Sequence, residues 1–89
     1  STMRCYPQPF VPSQDNEMVI DGLAEGTQVK ITTVDGLLIR AFPTGNSRTV
    51  VWDGLNDSGQ PVQSGVYLIS AYSDNVGANA VIKAMVIQR

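Results

Sequence analysis

One segment, residues 52–67, limits the possible folds of this chain more than any other. It joins two apolar runs, and nine of the thirteen positions between Trp52 and Val66 hold aspartate, asparagine, serine, glycine or proline. Glycine adopts positive φ angles without steric cost, and Asp, Asn and Ser side chains hydrogen-bond to their own backbone. A helix cannot form from such a segment. It therefore predicts a long loop between two β-strands.

The end of this loop carries a more specific signal. A Ser-Gly-Val-Tyr sequence, residues 64–67, stands at the start of the next apolar run. This is typical of a tyrosine corner, in which the phenol hydroxyl bonds to a backbone group upstream. We therefore predict that Gly65 and Tyr67 are structural residues of a Greek-key sandwich. The Tyr67 ring should be buried, with its hydroxyl bonded to a backbone group of the loop.

The rest of the chain repeats the same pattern of short apolar runs separated by turn residues. Alternation with a period of two residues marks strands with one buried face, and Asp35-Gly36 is a strong hairpin signal. No segment shows a sustained helical period. The sequence predicts an all-β antiparallel sandwich of about six or seven short strands, with no helix longer than one turn. The predicted strands are 17–20, 28–34, 37–42, 48–52, 66–73 and 80–87.

The N-terminal part is rich in proline, which cannot donate a hydrogen bond to a central strand. Pro7 and Pro9 therefore indicate extended chain at an edge, with Phe10 as its anchor on the domain. Residues 1–5 are interpreted as a linker or an artificial extension, and residues 6–89 as one domain.

Composition excludes several classes of function. The net charge is −2, and the six basic residues are scattered, which argues against nucleic acid or an anionic membrane surface as partner. One cysteine and no histidine exclude an internal disulfide and argue against a Cys/His zinc site or a histidine-activated nucleophile. No apolar run is long enough to span a bilayer, and no signal peptide is recognisable. We expect neither catalysis nor a cofactor.

Four oxygen-bearing residues of the long loop have two interpretations. Asp53, Asn56, Asp57 and Gln60 could bind calcium, but their spacing differs from that of an EF-hand loop. Turn hydrogen bonds explain them more simply, so we predict no metal. An acid/base pair of carboxylates is disfavoured as well, because the acidic residues stand in turns or beside strand ends.

Three other residues also allow a functional interpretation. Trp52 and Tyr67 could form a sugar-binding platform, although their positions beside buried strand residues favour core packing. Cys5 could act as a nucleophile, but no histidine is available as its base.

The last predicted strand is apolar on both faces. One alternating set is wholly apolar and is predicted to face the core, and it consists of Ala80, Ile82, Ala84 and Val86. The other set is apolar except for a lysine, and it consists of Val81, Lys83, Met85 and Ile87. An apolar outer face on a terminal strand suggests contact with a neighbouring domain, a second copy of the chain or a receptor.

The order of these motifs resembles two related families. The motifs are the sequences of residues 29–40, 50–54, 57–62, 64–67 and 82–89. One family is the Ig-like domain of the flagellar hook-capping protein. The other is the C-terminal sorting domain of the type IX secretion system of Bacteroidetes-type bacteria. The Tyr-Pro-Gln-Pro-Phe start is similar to the Pro-Asn-Pro-Phe start of sorting domains, with Gln8 in place of Asn. The similarity covers about residues 6 to 89.

Two features favour the sorting domain. The chain stops directly after its last predicted strand, and Arg89 follows Lys83 in a pattern similar to the terminal basic residues of that family. The resemblance makes the end of the chain the candidate recognition segment, with Lys83, Met85, Val86, Ile87 and Arg89 as its residues. Pro7, Pro9, Phe10, Trp52, Gly65 and Tyr67 are then structural motif residues.

The resemblance implies a non-catalytic, Ig-like address label that directs its parent protein through the periplasm to the cell surface, the outer membrane or the medium. Its partners would be the translocon, shuttle and sortase proteins, with anionic lipopolysaccharide joined to the parent protein. Some members keep the domain, as in a propeller-bearing surface component of the attachment complex. Self-association through the last strand is a further expectation. The alternatives are an Ig-like spacer module of a hook-cap or adhesin-type protein and a carbohydrate-binding module.

Overall fold

Seven antiparallel β-strands form the fold of the described part of the chain. The computed structural model describes residues 3–43, 45, 47–73 and 81–89. None of these residues lies in a helix. The described part of the chain therefore contains no helix that could cross a membrane. The all-β prediction is confirmed. The strands are β1 (Arg4–Tyr6), β2 (Met18–Asp21), β3 (Gln28–Thr33), β4 (Leu38–Phe42), β5 (Val50–Trp52), β6 (Gly65–Tyr72) and β7 (Val81–Ile87).

Two sheets enclose one apolar core. A three-stranded sheet has the order β1-β2-β5, and a four-stranded sheet has the order β4-β3-β6-β7. Both contribute side chains to a single cluster in which Trp52, Phe10 and Met18 are the largest fully buried residues. Removal of this apolar surface from water is the main stabilising contribution.

Strand β3 follows directly from its sequence. Val29 and Ile31 are fully buried, whereas Lys30 between them is exposed. The predicted Asp-Gly hairpin then turns the chain into β4: the Gly36 amide donates to the Thr33 carbonyl over 3.0 Å. Gly36 has a φ of +96°, a conformation that glycine adopts without strain.

The six predicted strands are present, with ends that differ by one or two residues. β1 was not predicted. Arg4 and Cys5 pair with Asp21 and Ile20, and Met3 is buried in the core, so the ordered sandwich includes residues that the sequence analysis placed before the domain. Three residues beside a proline-rich segment carry no alternation signal that could reveal a strand. The predicted turn at 74–77 and the first residue of the last predicted strand lie outside the described residues.

The tyrosine corner is confirmed. Gly65 opens β6 with a φ of +156°, and Tyr67 follows with only 8% of its surface exposed. The Tyr67 hydroxyl donates to the backbone carbonyl of Gln63 over 2.7 Å. The corner thus joins the end of the long loop to the core side of β6.

We predict that Tyr67→Phe lowers the free energy of unfolding by about 1–2 kcal/mol, because the Gln63 carbonyl loses its donor. Urea denaturation followed by Trp52 fluorescence measures the change. Val66→Thr alters a half-exposed neighbour on the same strand and should stay within about 0.5 kcal/mol. Equal midpoints for wild type and Tyr67→Phe would show that the corner contributes nothing.

Candidate recognition site

The last strand faces the core with the opposite set of side chains from the one predicted. Met85 and Ile87 are each 1% exposed, whereas Ile82 is 59% and Val86 42% exposed. The prediction that the even-numbered residues face the core is therefore wrong. The cause is the register with β6, because Met85 pairs with the buried Tyr67 and paired residues share a face of the sheet.

The first half of β7 extends beyond the core. All four residues of Val81–Ala84 are exposed, on both faces of the strand. Lys83 lies in this stretch, and it is close enough to Cys5 on β1 for its charge to influence the thiol. Burial raises the pKa of Cys5, and the positive charge of Lys83 opposes that rise. Of the predicted recognition residues, Lys83, Val86 and Arg89 are exposed, while Met85 and Ile87 are part of the core.

Phe10 anchors the N-terminal segment on the second half of β7. Its side chain is fully buried, and the centre of its ring lies 6.1 Å from that of Trp52. The Phe10 amide donates to the Val86 carbonyl over 2.8 Å, and the Gln88 amide donates to the Phe10 carbonyl over 2.9 Å. Phe10 and Ile87 form a parallel β-bridge. The prediction that Phe10 anchors the segment is confirmed.

Gln8 covers the adjacent part of the same strand edge with its side chain. Its Nε2 donates to the Ala84 carbonyl over 3.1 Å, and its Oε1 accepts from the Val86 amide over 2.7 Å. The side-chain amide thus takes the place of a backbone peptide group on a neighbouring strand. Pro7 and Pro9 flank it, each after a cis peptide bond, and neither has an amide hydrogen that needs a partner. This role of Gln8 was missed, because the sequence offered only its departure from the family's Asn.

Arg89 connects the end of β7 to the long loop. Its Nε donates to the Val62 carbonyl, its Nη2 lies 3.4 Å from the Gly54 carbonyl, and its backbone amide donates to the Ser64 hydroxyl over 2.9 Å. Gly54 has a φ of +84°, and a Cβ there would lie 3.3 Å from the Phe10 ring. Arg89, expected as a solvent-facing recognition charge, therefore binds the fold itself.

The acidic residues of the long loop already have a cationic partner. Arg40 lies 3.1 Å from Asp53 and 3.6 Å from Asp57. Asn56 accepts from the amides of Ser58 and Gln60, each over 2.9 Å. The Asn56 contacts are the turn hydrogen bonds that the simpler interpretation predicted, whereas the ion pairs with Arg40 were not predicted. Within the described ranges, no three metal-binding side chains come together.

The aromatic residues do not form an exposed row. Trp52 and Tyr67 are buried, as the core interpretation predicted, and the Trp52 indole donates to the Leu55 carbonyl over 2.8 Å. Tyr6 and Tyr72 are 45% and 40% exposed, but they belong to β1 and β6 in different sheets. This arrangement does not support the sugar-binding alternative, which needs neighbouring exposed rings.

A polar cluster ties β1 to β2. Both oxygens of Asp21 accept from the Arg4 guanidinium, over 3.0 Å and 3.2 Å, and the Tyr6 hydroxyl donates to the same carboxylate over 2.8 Å. The Arg4 hydrogen bonds, followed by that from Tyr6, lower the pKa of Asp21. The ionised carboxylate is the form that these donors stabilise.

Comparison with known proteins agrees with this architecture. The family model of the FlgD Ig-like domain matches residues 13–77. The chain belongs to this family. No curated protein sequence matches the chain significantly.

A solved structure is similar over nearly the whole chain. It is that of PorZ, an essential bacterial surface component of the type IX secretion system of Porphyromonas gingivalis. The similarity has a TM-score of 0.83 at 29% identity and covers 98% of this chain and 11% of PorZ. The chain therefore spans about a tenth of the length of PorZ. The FlgD model covers residues 13–77 and ends before β7, whereas the likeness to PorZ covers 98% of the chain and therefore takes in the N-terminal segment and β7 as well.

We predict that Arg89→Ala lowers the free energy of unfolding by about 1–2 kcal/mol, since two backbone carbonyls of the loop lose a charged donor. Lys83→Ala is the matched control: it removes an exposed cation from the same strand and should cost no more than about 0.5 kcal/mol. Chemical denaturation of both variants gives the comparison. Equal losses would show that Arg89 is a solvated charge like Lys83.

We predict that the Asp21 cluster makes stability depend on pH. The pKa of Asp21 is lower in the folded than in the unfolded state, so the ionised carboxylate stabilises the fold. This stabilisation is present above the unfolded-state pKa and is lost as the pH falls through the folded-state pKa. Asp21→Asn should therefore have a lower urea midpoint than wild type at neutral pH, and the difference should shrink as the pH falls through the folded-state pKa of Asp21. The control Asp53→Asn removes a carboxylate from the loop that follows β5. A difference for Asp21→Asn that stays constant with pH would contradict the prediction.

Proposed function

We propose that this chain is a non-catalytic sorting domain that directs its parent protein to the cell surface through the type IX secretion system. The similarity to PorZ supports this best, because it covers 98% of the chain, including the N-terminal segment and β7. PorZ is itself a surface component of that secretion system.

The proposed recognition segment is the exposed part of β7 and its end. Lys83 and Val86 are accessible to a partner, and Ile82 extends the same surface. Met85, Ile87 and Arg89 act indirectly, because they hold β7 in the sandwich. The segment with Pro7, Pro9 and Phe10 lies along the outer edge of β7. The structural residues of the long loop and the tyrosine corner are Trp52, Gly65 and Tyr67.

In this proposal the domain's partners are translocon, shuttle and sortase proteins at the outer membrane. Anionic lipopolysaccharide enters only through the parent protein, and nucleic acid is not a partner because the basic residues are few and scattered. The domain passes through the periplasm before it reaches the surface.

The second candidate is an Ig-like structural module that spaces or packs neighbouring domains. The match to the FlgD Ig-like domain favours it, because that family model covers residues 13–77 and excludes β7. A spacer requires a folded sandwich but no information in the exposed residues of β7. The two candidates therefore differ in the effect of surface substitutions on that strand.

The test places the 89-residue chain at the C-terminus of an exported reporter protein in a bacterium with a type IX system. The intact fusion should be accessible to protease added outside the cells. Deletion of residues 81–89 should retain the reporter in the periplasm. Normal surface delivery without this strand would refute the sorting function and leave the spacer.

A point variant separates recognition from folding. Lys83→Glu reverses an exposed charge and should reduce surface delivery several-fold, whereas Lys30→Glu makes the same change on β3 and should have no effect. Both purified variants should keep the wild-type unfolding midpoint within the range of surface substitutions, about 0.5 kcal/mol. Equal delivery of both variants would remove Lys83 from the recognition segment.

A further inference from the structure

The two long edges of the four-stranded sheet are covered by loops to different extents. At β4, the Asp57 amide donates to the Ile39 carbonyl over 2.9 Å, and the Asp57 carboxylate lies 3.4 Å from the Ala41 amide. At β7, Gln8 and Phe10 bond to the outer edge from the Ala84 carbonyl to the Gln88 amide. Neither contact reaches the first half of β7.

The alternation of a β-strand identifies which backbone groups remain open. The amide and carbonyl of Val86 both point away from β6, because Gln8 and Phe10 bind them from the other side. In an antiparallel strand, residues two apart present their backbone groups to the same edge. The Ile82 amide and carbonyl and the Ala84 amide therefore point outward. No hydrogen bond joins these three groups to another residue in the described part of the chain.

The side chains of this stretch are equally open. Val81–Ala84 is exposed on both faces, with Val81 48% and Ile82 59% exposed. Within the described ranges Lys83 forms no ion pair. Backbone groups and a cation without a partner in the described ranges, together with apolar residues on both faces, thus coincide on one short strand edge. Such an edge is a template for pairing with another chain.

We propose that the first half of β7, Val81–Ala84, is a strand-addition site for an extended segment of another protein. The segment pairs antiparallel with Ile82 and Ala84, carries apolar residues opposite both, and carries a carboxylate opposite Lys83. Backbone hydrogen bonds supply the affinity of such pairing, and side chains opposite each other across the strands supply the specificity.

A second copy of this chain fits the edge less well than an acidic segment. Antiparallel pairing of two copies through Ile82 and Ala84 of both places the two Lys83 ammonium groups opposite each other. Like charges in directly opposed positions destabilise a strand pair. Gln8 and Phe10 also block any extension of the pairing towards the end of β7. The partner segment is therefore heterologous and acidic.

The test uses the purified, isotope-labelled 89-residue chain and a blocked synthetic peptide with the core Thr-Val-Glu-Val-Thr. Titration should shift the Ile82 and Ala84 amide resonances saturably and slow their hydrogen exchange. A matched peptide with lysine in place of glutamate should bind about twofold to fivefold more weakly, the expected size of one cross-strand charge pair. Absence of a saturable shift at these two amides would overturn the proposal.

Two variants locate the site. Ala84→Pro removes an amide that points outward and leaves the hydrogen bonds to β6 unchanged. An edge strand tolerates proline at such a position. This variant should abolish peptide binding. Lys83→Glu should reverse the preference between the two peptides, and this variant decides the outcome if Ala84→Pro does not fold. Unchanged binding in the folded variants would overturn the proposal. So would shifts of the β7 amides that depend on the concentration of the chain alone, because they would identify a second copy as the occupant.

This binding test needs no secretion system, so its result is independent of the proposed sorting function. Peptide binding with no effect of Lys83→Glu on surface delivery would establish the strand-addition site without a sorting role. Loss of delivery in Lys83→Glu without peptide binding would support sorting and overturn strand addition.

Discussion

The pairing of the N-terminal segment with β7 is the interaction on which the rest of this sandwich depends. It joins residues 78 positions apart in the sequence, Gln8 and Val86, and it places the Phe10 ring against Trp52 at the centre of the core. Without this segment, β7 would pair with β6 alone. The buried faces of Met85 and Ile87 would then lose part of their cover. The core is closed by a contact between distant parts of the chain, and the loop and Arg89 add to that closure from the other side.

A second principle of the structure is the use of side chains in place of strands. Gln8 offers one donor and one acceptor to β7, and Asp57 combines its amide and its carboxylate to do the same at β4. An unprotected strand edge favours pairing with other chains. In this sandwich, side chains that take the place of a peptide group protect most of the sheet edges, and no further strand is needed there. The first half of β7 differs from the rest, because such contacts cover both the β4 edge and the second half of the β7 edge.

Local signals predicted the parts of the structure that local chemistry determines. The alternation of β3, the Asp-Gly hairpin and the tyrosine corner all formed as expected, because each depends on residues close in sequence. The inward face of β7 was predicted wrongly, since both of its alternating sets are largely apolar and only the register with β6 selects one. The roles of Gln8 and Arg89 could not be predicted either. Their partners lie 76 positions away for Gln8 and Ala84, and 27 for Arg89 and Val62.

The parallel direction of the Phe10–Ile87 bridge has a mechanical consequence. A force that pulls the two ends of the chain apart draws the N-terminal segment backward and β7 forward along the same axis. Because the two run parallel, their hydrogen bonds are loaded together in shear and do not open one after another. The contacts of Gln8 and Phe10 with Val86 and Gln88 would have to rupture at once. The pairing of these two segments therefore resists tension that is applied along them in opposite directions.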